Sequence, residues 1–208
     1  MTSKGASRDW RHSPAAVAPE CGPDDYLIRL ASWIIQDGNY GEFTVGEQRA
    51  FALEFWPVAQ GFEPIEGTPS LTRIGSEYEV VGSTQWWGNR QAVALHFGLS
   101  AYAEKPAALV PPAASQVRGL VQLGVDPFPY LERLSGMPGA PPLIYDWHVS
   151  GLYLQTGPWI EEAPRFFTRD ESATGWHAVP ATNSWTDDDG RALYLLRARP
   201  LGEPRLRL

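Results

Sequence analysis

The 208-residue chain reads as mainly β, with curved antiparallel sheets forming one or two small barrels or a bent sandwich and one short helix. Three observations predict this class. Large apolar residues alternate with small or polar ones at period 2, the repeat of a half-buried strand. Turn clusters of Gly, Asn and Asp separate those runs. Gly82, Gly119 and Gly151 each interrupt an otherwise β-branched or aromatic run, as a strand does where it must bend.

Residues 1 to 24 contain Pro14, Pro19, Gly22 and Pro23 and, apart from Trp10, little that is large and apolar, which predicts a mobile tail. Tyr26 to Gln36 is rich in β formers and ends at Asp37-Gly38-Asn39, so a strand and a reversal are expected. Arg49 to Trp56 sets Phe51, Leu53 and Phe55 on one face and Ala52, Glu54 and Trp56 on the other. Glu77 to Trp87 and Gln91 to Phe97 form a predicted hairpin about Gly88-Asn89-Arg90, with Val93, Leu95 and Phe97 opposite Ala92, Ala94 and His96. Phe51 to Phe55 and Val93 to Phe97 share one pattern of apolar, Ala, Leu, polar and Phe, which predicts similar strands in neighbouring hairpins.

Lys105 to Ser115, with Pro106, Pro111 and Pro112, cannot continue a ladder and is the expected linker. It divides a first β unit over 25–112 from a second over 113–208, unless the two form one continuous domain. Val117 to Val125 is the next strand. Asp126-Pro127 then supplies a cap and a proline for a short helix near 128–134, which Gly136 ends. Ile144 to Thr156 and Arg165 to Thr168 read as strands, and Thr182 to Thr186 with Ala192 to Arg199 as a hairpin across Asp187-Asp188-Asp189-Gly190.

Seventeen basic against 24 acidic residues give a net charge of −7, the wrong sign for generic nucleic-acid binding. The acidic excess lies mostly within residues 1 to 104. Cys21 is alone, so neither an internal disulfide nor a cysteine-based zinc site is available. There is no signal-type apolar segment and no window of 18 apolar residues, which favours a cytoplasmic protein off the membrane. Fifteen arginines against 2 lysines read as the base composition of a GC-rich bacterial genome.

Motifs that carry a mechanism are missing: there is no dinucleotide-binding glycine fingerprint, phosphate loop, zinc-protease helix or nucleophile elbow. The Asp187-Asp188-Asp189 run lacks the alternating ligand spacing of a calcium loop, and Ser100 has no elbow around it. Glu77 and Glu79 share one strand face, where a solubilising edge is the plainer role. No metal or cofactor is expected.

Two groups of candidates remain. Glu54 and His96 each interrupt an alanine-lined strand face. On adjacent strands they would form an acid–base pair, whereas at the surface they are an ordinary exposed pair. The second group comes from the nine tryptophans, since indoles suit both barrel plugs and binding surfaces. Adjacent Trp86 and Trp87 must point to opposite faces, so one of them, with Arg90 at the turn, is a candidate ligand contact. Trp147 and His148 form another, echoed by Trp176-His177. Arg197, Arg199, Arg205 and Arg207 are placed to meet an acidic partner or acidic residues of the same molecule. The function expected from these features is a binding or interaction protein that uses exposed Trp and Arg near strand-end loops to take a protein or a small molecule. The alternatives are a small acid–base enzyme built on Glu54 and His96, or a carbohydrate-binding module.

Overall fold

Period 2 becomes an inside and an outside in the computed structural model, which describes residues 19–58, 61–104, 110–111, 114–163, 166–169 and 175–207. The elements in chain order are β1 (Tyr26–Ala31), α1 (Ser32–Gln36), β2 (Gln48–Pro57), β3 (Glu63–Pro64), β4 (Ser70–Ile74), β5 (Glu77–Trp87), β6 (Ala92–His96) and β7 (Ser100–Glu104). They continue with β8 (Gln116–Val125), α2 (Pro129–Glu132), β9 (Ile144–Thr156), β10 (Trp159–Ala163), β11 (Phe166–Arg169), β12 (Gly175–Ala178) and β13 (Leu193–Pro200). The main sheet runs β12-β9-β13-β1-β8-β2-β7-β6-β5-β4, and the added pairings β9–β2 and β8–β5 close eight of these strands into a barrel. The protein is therefore mainly β, as its alternation predicts. Most of the predicted linker, and the tail up to residue 18, lie outside the described residues.

The described chain forms two compact units that interleave along the sequence. One holds the residues up to Tyr26, Leu30–Glu47 and Val149–Arg199; the other holds Leu27–Arg29, Gln48–His148 and Pro200–Leu208. In the second unit β2 runs parallel to β7, and β7, β6, β5 and β8 follow antiparallel until β8 returns to β2. Leu53, Phe55, Val80, Leu95, Val121 and Leu123 fill the inside of this ring and are inaccessible to water. The repeated pattern of β2 and β6 thus marks two strands with the same inward phase, one on each side of β7. Gly119 is glycine for room: a Cβ there would sit 2.5 Å from the ring of Phe62, which packs edge-on against Phe55 at 5.7 Å.

The outer face of β2 and β6 carries Ala50, Ala52, Ala92 and Ala94, so nothing bulky keeps a neighbour away. The segment carrying α2 and the 3-10 turn Leu134–Gly136 packs on it, with Tyr130 and Leu134 fully buried. The short helix expected near 128–134 is this segment. It starts at Phe128, whose φ of 82° turns the chain over the face.

Two local expectations of the first unit are corrected. The strand expected over Tyr26–Gln36 stops at Ala31, and Ser32–Gln36 is a helical turn. Ser32 donates its N–H to Ala192 O, and its hydroxyl and the Gln36 amide both reach Gly190 O; these tertiary bonds outweigh the β preference of Ile34-Ile35. The hairpin expected between Thr182–Thr186 and Ala192–Arg199 does not form, although β13 does. Side chains take the polar groups of that segment instead of a ladder: Glu42 accepts from the Ser184 N–H and from both the Thr182 and Ser184 hydroxyls. Strands β3, β4, β7, β10 and β12, all of five residues or fewer, lie outside the expected runs.

Candidate functional site

Glu54 lies on the outer face of β2, laterally paired with Tyr102 of β7 on one side and Gly124 of β8 on the other. His96 lies on β6, so β7 separates the expected acid–base pair. The His96 Nδ1 instead pairs with Ser100 Oγ at 2.7 Å across the β6–β7 turn, and burial lowers the imidazole pKa. What Glu54 meets is a group that the sequence offers only as a helix cap. Asp126, fully buried, accepts from the Tyr102 hydroxyl and from the N–H groups of Tyr130 and Leu131 at 3.3 and 3.2 Å. It fastens the start of α2 to the barrel. Arg133 holds the same segment by an ion pair to Glu104 at 2.6 Å, and Trp87 donates its indole N–H to Leu134 O at 3.0 Å.

Crowding of carboxyl groups has an electrostatic consequence. Burial, then the charges of Asp126 and Glu104, push Glu54 up to about 7, and burial pushes Asp126 up to about 6 against the pull of its donors. A carboxyl raised above its unfolded value stabilises the fold below that unfolded value and stops doing so as pH rises through the folded one. Wild-type stability therefore falls between about pH 4 and pH 7 on account of this pair. Glu54→Gln is expected to be about 2 kcal/mol more stable than wild type at pH 8, after discounting for partial exposure, and to show no advantage at pH 4. Urea melts at both pH values measure it; an equal effect at the two would show that Glu54 titrates normally.

The tryptophans sort differently from expectation. Trp86 and Trp87 do face opposite ways, since they pair with Val93 and Ala92 respectively. The outward one, Trp87, is 4% exposed because the α2 segment covers it, while the inward Trp86 sits half-buried. Arg90 is exposed on a turn whose three residues Gly88, Asn89 and Arg90 all have positive φ. A shallow cavity of about 250 Å³ lies beside it, lined by Gly88, Asn89, Gln91, Met137 and Pro138; that is below the roughly 300 Å³ at which ligand pockets begin. Trp147 is completely buried, stacked on Phe51 at 5.3 Å with its N–H given to Phe51 O, so it offers a ligand nothing. His148 is half-buried on β9, paired with Gln48. Three of the C-terminal arginines are satisfied within the molecule: Arg197 by Ser150 and Asp25, Arg205 by Asp146 and Arg207 by Leu131 O.

Among the described residues, the most exposed indoles are two that the sequence did not single out. Trp185 is 68% exposed and Trp33 53%, both in the first unit. The Gln36 amide and the backbone of Trp185 meet at Gly190: a Cβ at that position would lie 3.2 Å from Gln36 Nε2, 3.6 Å from Trp185 O and 3.7 Å from Ser184 O. Trp33 precedes Gln36 by one helical turn on α1. The loop bearing Trp185 is held from beneath, by Glu42 at Ser184, by the Asn183 N–H on Tyr194 Oη at 3.1 Å and by the Tyr194 hydroxyl on buried Asp187 at 2.9 Å. Its far side is fixed by Asp188, which accepts from the Trp159 indole at 3.0 Å and pairs with Arg169. Reading Thr182–Thr186 as a strand hid this loop.

Fold and site together define a mainly β, barrel-forming protein with a pre-organised aromatic loop. Comparison of the chain with family models, curated proteins and solved structures finds no match to any of them. Among the described residues no helix is long and apolar enough to cross a membrane, and no group of three His, Cys, Asp or Glu is placed to hold a metal ion.

Proposed function

We propose that the protein is a cytoplasmic, non-enzymatic binding protein whose contact surface in the first unit is built on Trp33 and Trp185. One observation carries the reading: a loop anchored at Thr182, Asn183, Ser184, Asp187, Asp188 and Gly190 presents its indole to water. Ordering a loop costs about 1–2 kcal/mol per residue, and leaving an indole exposed forgoes roughly 2–3 kcal/mol of burial. A fold that only needed stability would turn Trp185 inward. A rigid exposed aromatic instead lowers the ordering cost of association, the property that places Trp at the energetic centre of interfaces. The acid–base alternative has the raised Glu54 in its favour, yet the hydrogen bonds of Asp126 there hold the α2 segment, and β7 separates Glu54 from His96.

The test is the double variant Trp33→Ala/Trp185→Ala, compared with wild type for partner capture from host-cell extract. Loss of the captured species, with the melting temperature within about 2 °C of wild type, is expected, because both side chains are mostly outside the core. Unchanged capture by the folded double variant would remove this surface from consideration.

A further inference from the structure

We propose that the segment carrying α2 is a lid on the alanine-lined outer face of β2 and β6, latched while Glu54 and Asp126 carry protons and released when both ionise. The latch is a cluster of groups from three neighbouring strands. Asp126 prolongs β8 beyond its last paired residue and donates its N–H to Ala52 O at 2.9 Å. Glu54 follows Ala52 by two residues on the same face and is laterally paired with Gly124, two residues before Asp126. The two acids are therefore diagonal neighbours on adjacent strands, a spacing that long side chains bridge. Tyr102 of β7 flanks Glu54 on its other side, and the Tyr102 hydroxyl donates to Asp126. The lid hangs from the same Asp126 carboxyl by the N–H groups of Tyr130 and Leu131.

Among the described residues, the other ionisable groups around this pair are Tyr102 and Glu104 of β7, Tyr130 and Arg133 of the lid, and Arg207 of the C-terminal segment. Arg133 is committed to Glu104 at 2.6 Å and Arg207 to Leu131 O, while His96 of β6 is turned to Ser100. Tyr102, pushed well above its usual range by burial and then by the Asp126 charge, stays a donor throughout. Glu54, raised to about 7, and Asp126, raised to about 6, both lose their protons between pH 5 and pH 8. Both are raised above their unfolded values, so the closed lid gains below those values and loses as pH rises through 6 and 7. Once ionised, the two charges repel, and opening returns the buried Asp126 to water. The hinge is already under strain, since Phe128 holds a φ of 82° in the left-handed region. The far end stays tethered by the Trp87 indole on Leu134 O at 3.0 Å.

The experiment is hydrogen exchange of the full chain at pH 5 and pH 8, corrected for the intrinsic rate at each pH. Opening at the Tyr130 and Leu131 amides is expected to be at least tenfold more frequent at pH 8 than at pH 5. At pH 8 it should also outrun opening at the β6 amides by at least a hundredfold, because the lid leaves without the barrel. Glu54→Gln, which keeps the shape and cannot ionise, is expected to cut the tenfold rise to threefold or less. Equal opening at the two pH values overturns the proposal. Lid amides that open only in step with those of β6 also overturn it, since the segment would then leave only when the barrel unfolds. A Glu54→Gln variant that responds to pH as wild type does removes the paired acids as the latch.

Discussion

Trp147→Ala is expected to destabilise the protein by about 4 kcal/mol, the upper range for loss of a large buried aromatic. The indole is fully enclosed, lies nearly parallel to Phe51 with an interplanar angle of 11°, and meets Tyr145 at 5.4 Å. Its removal leaves a cavity between β2 and β9 that neither strand can close, because both are held in register from Gln48–His148 to Ala52–Ile144. It also removes the buried hydrogen bond that the indole N–H donates to the Phe51 carbonyl at 3.1 Å. A fall in melting temperature on the order of 10 °C should result for a chain of this length. Trp147→Phe, which keeps the stacking and loses only the N–H and part of the volume, should recover about half. The contrast that matters is Trp185→Ala, expected to cost less than about 0.5 kcal/mol. Chemical denaturation of the three variants decides it. Similar losses for Trp147→Ala and Trp185→Ala would mean that the exposed loop is part of the core after all.

Asp126→Ala is expected to cost about 3 kcal/mol. It leaves the Tyr102 hydroxyl and the N–H groups of Tyr130 and Leu131 without their acceptor, each a loss of about 1–2 kcal/mol, partly offset by relief of a buried charge. The offset gives the pH dependence its sign. Wild type is more stable when Asp126 is protonated, below about 6, so the cost of the substitution should be larger at pH 5 than at pH 8. Removing the charge should also bring Glu54 down toward the ordinary carboxyl range, since Asp126 ranks next to burial among the causes of its shift. Hydrogen exchange of the Tyr130 and Leu131 amides should accelerate before that of the barrel strands, because Asp126 fastens the α2 segment specifically. Uniform acceleration throughout the chain would assign Asp126 to the barrel instead.

The sequence by itself determined the strand class and the inward phase of the strands. Period 2 is a property of the extended backbone, so Leu53 and Phe55, Val93 and Leu95, and the opposed pair Trp86 and Trp87 followed from local geometry alone. It also determined the helix near 128–134, although the cap position is Phe128 and the first helical proline Pro129, two residues after the expected Asp126 and Pro127. Only the tertiary structure decided what covers each face. Trp87 points outward, as alternation allows, yet is buried because a segment some fifty residues later lies on the alanines beside it; no local pattern records that coverage. Glu54 and His96 share a pattern, but β7, a short strand with little apolar signature, comes between them. Asp126 reads as a helix cap and acquires its second role only because the Tyr102 hydroxyl arrives from another strand. Ser184, Trp185 and Asp187 look like strand and turn in sequence. They form a presented loop because Glu42 and Tyr194, each distant in sequence or in face, supply the hydrogen bonds that a ladder would otherwise have made. Local propensity is a few tenths of a kcal/mol per residue, whereas a buried polar group left unpaired costs several times more, so long-range hydrogen bonding overrules it where the two disagree.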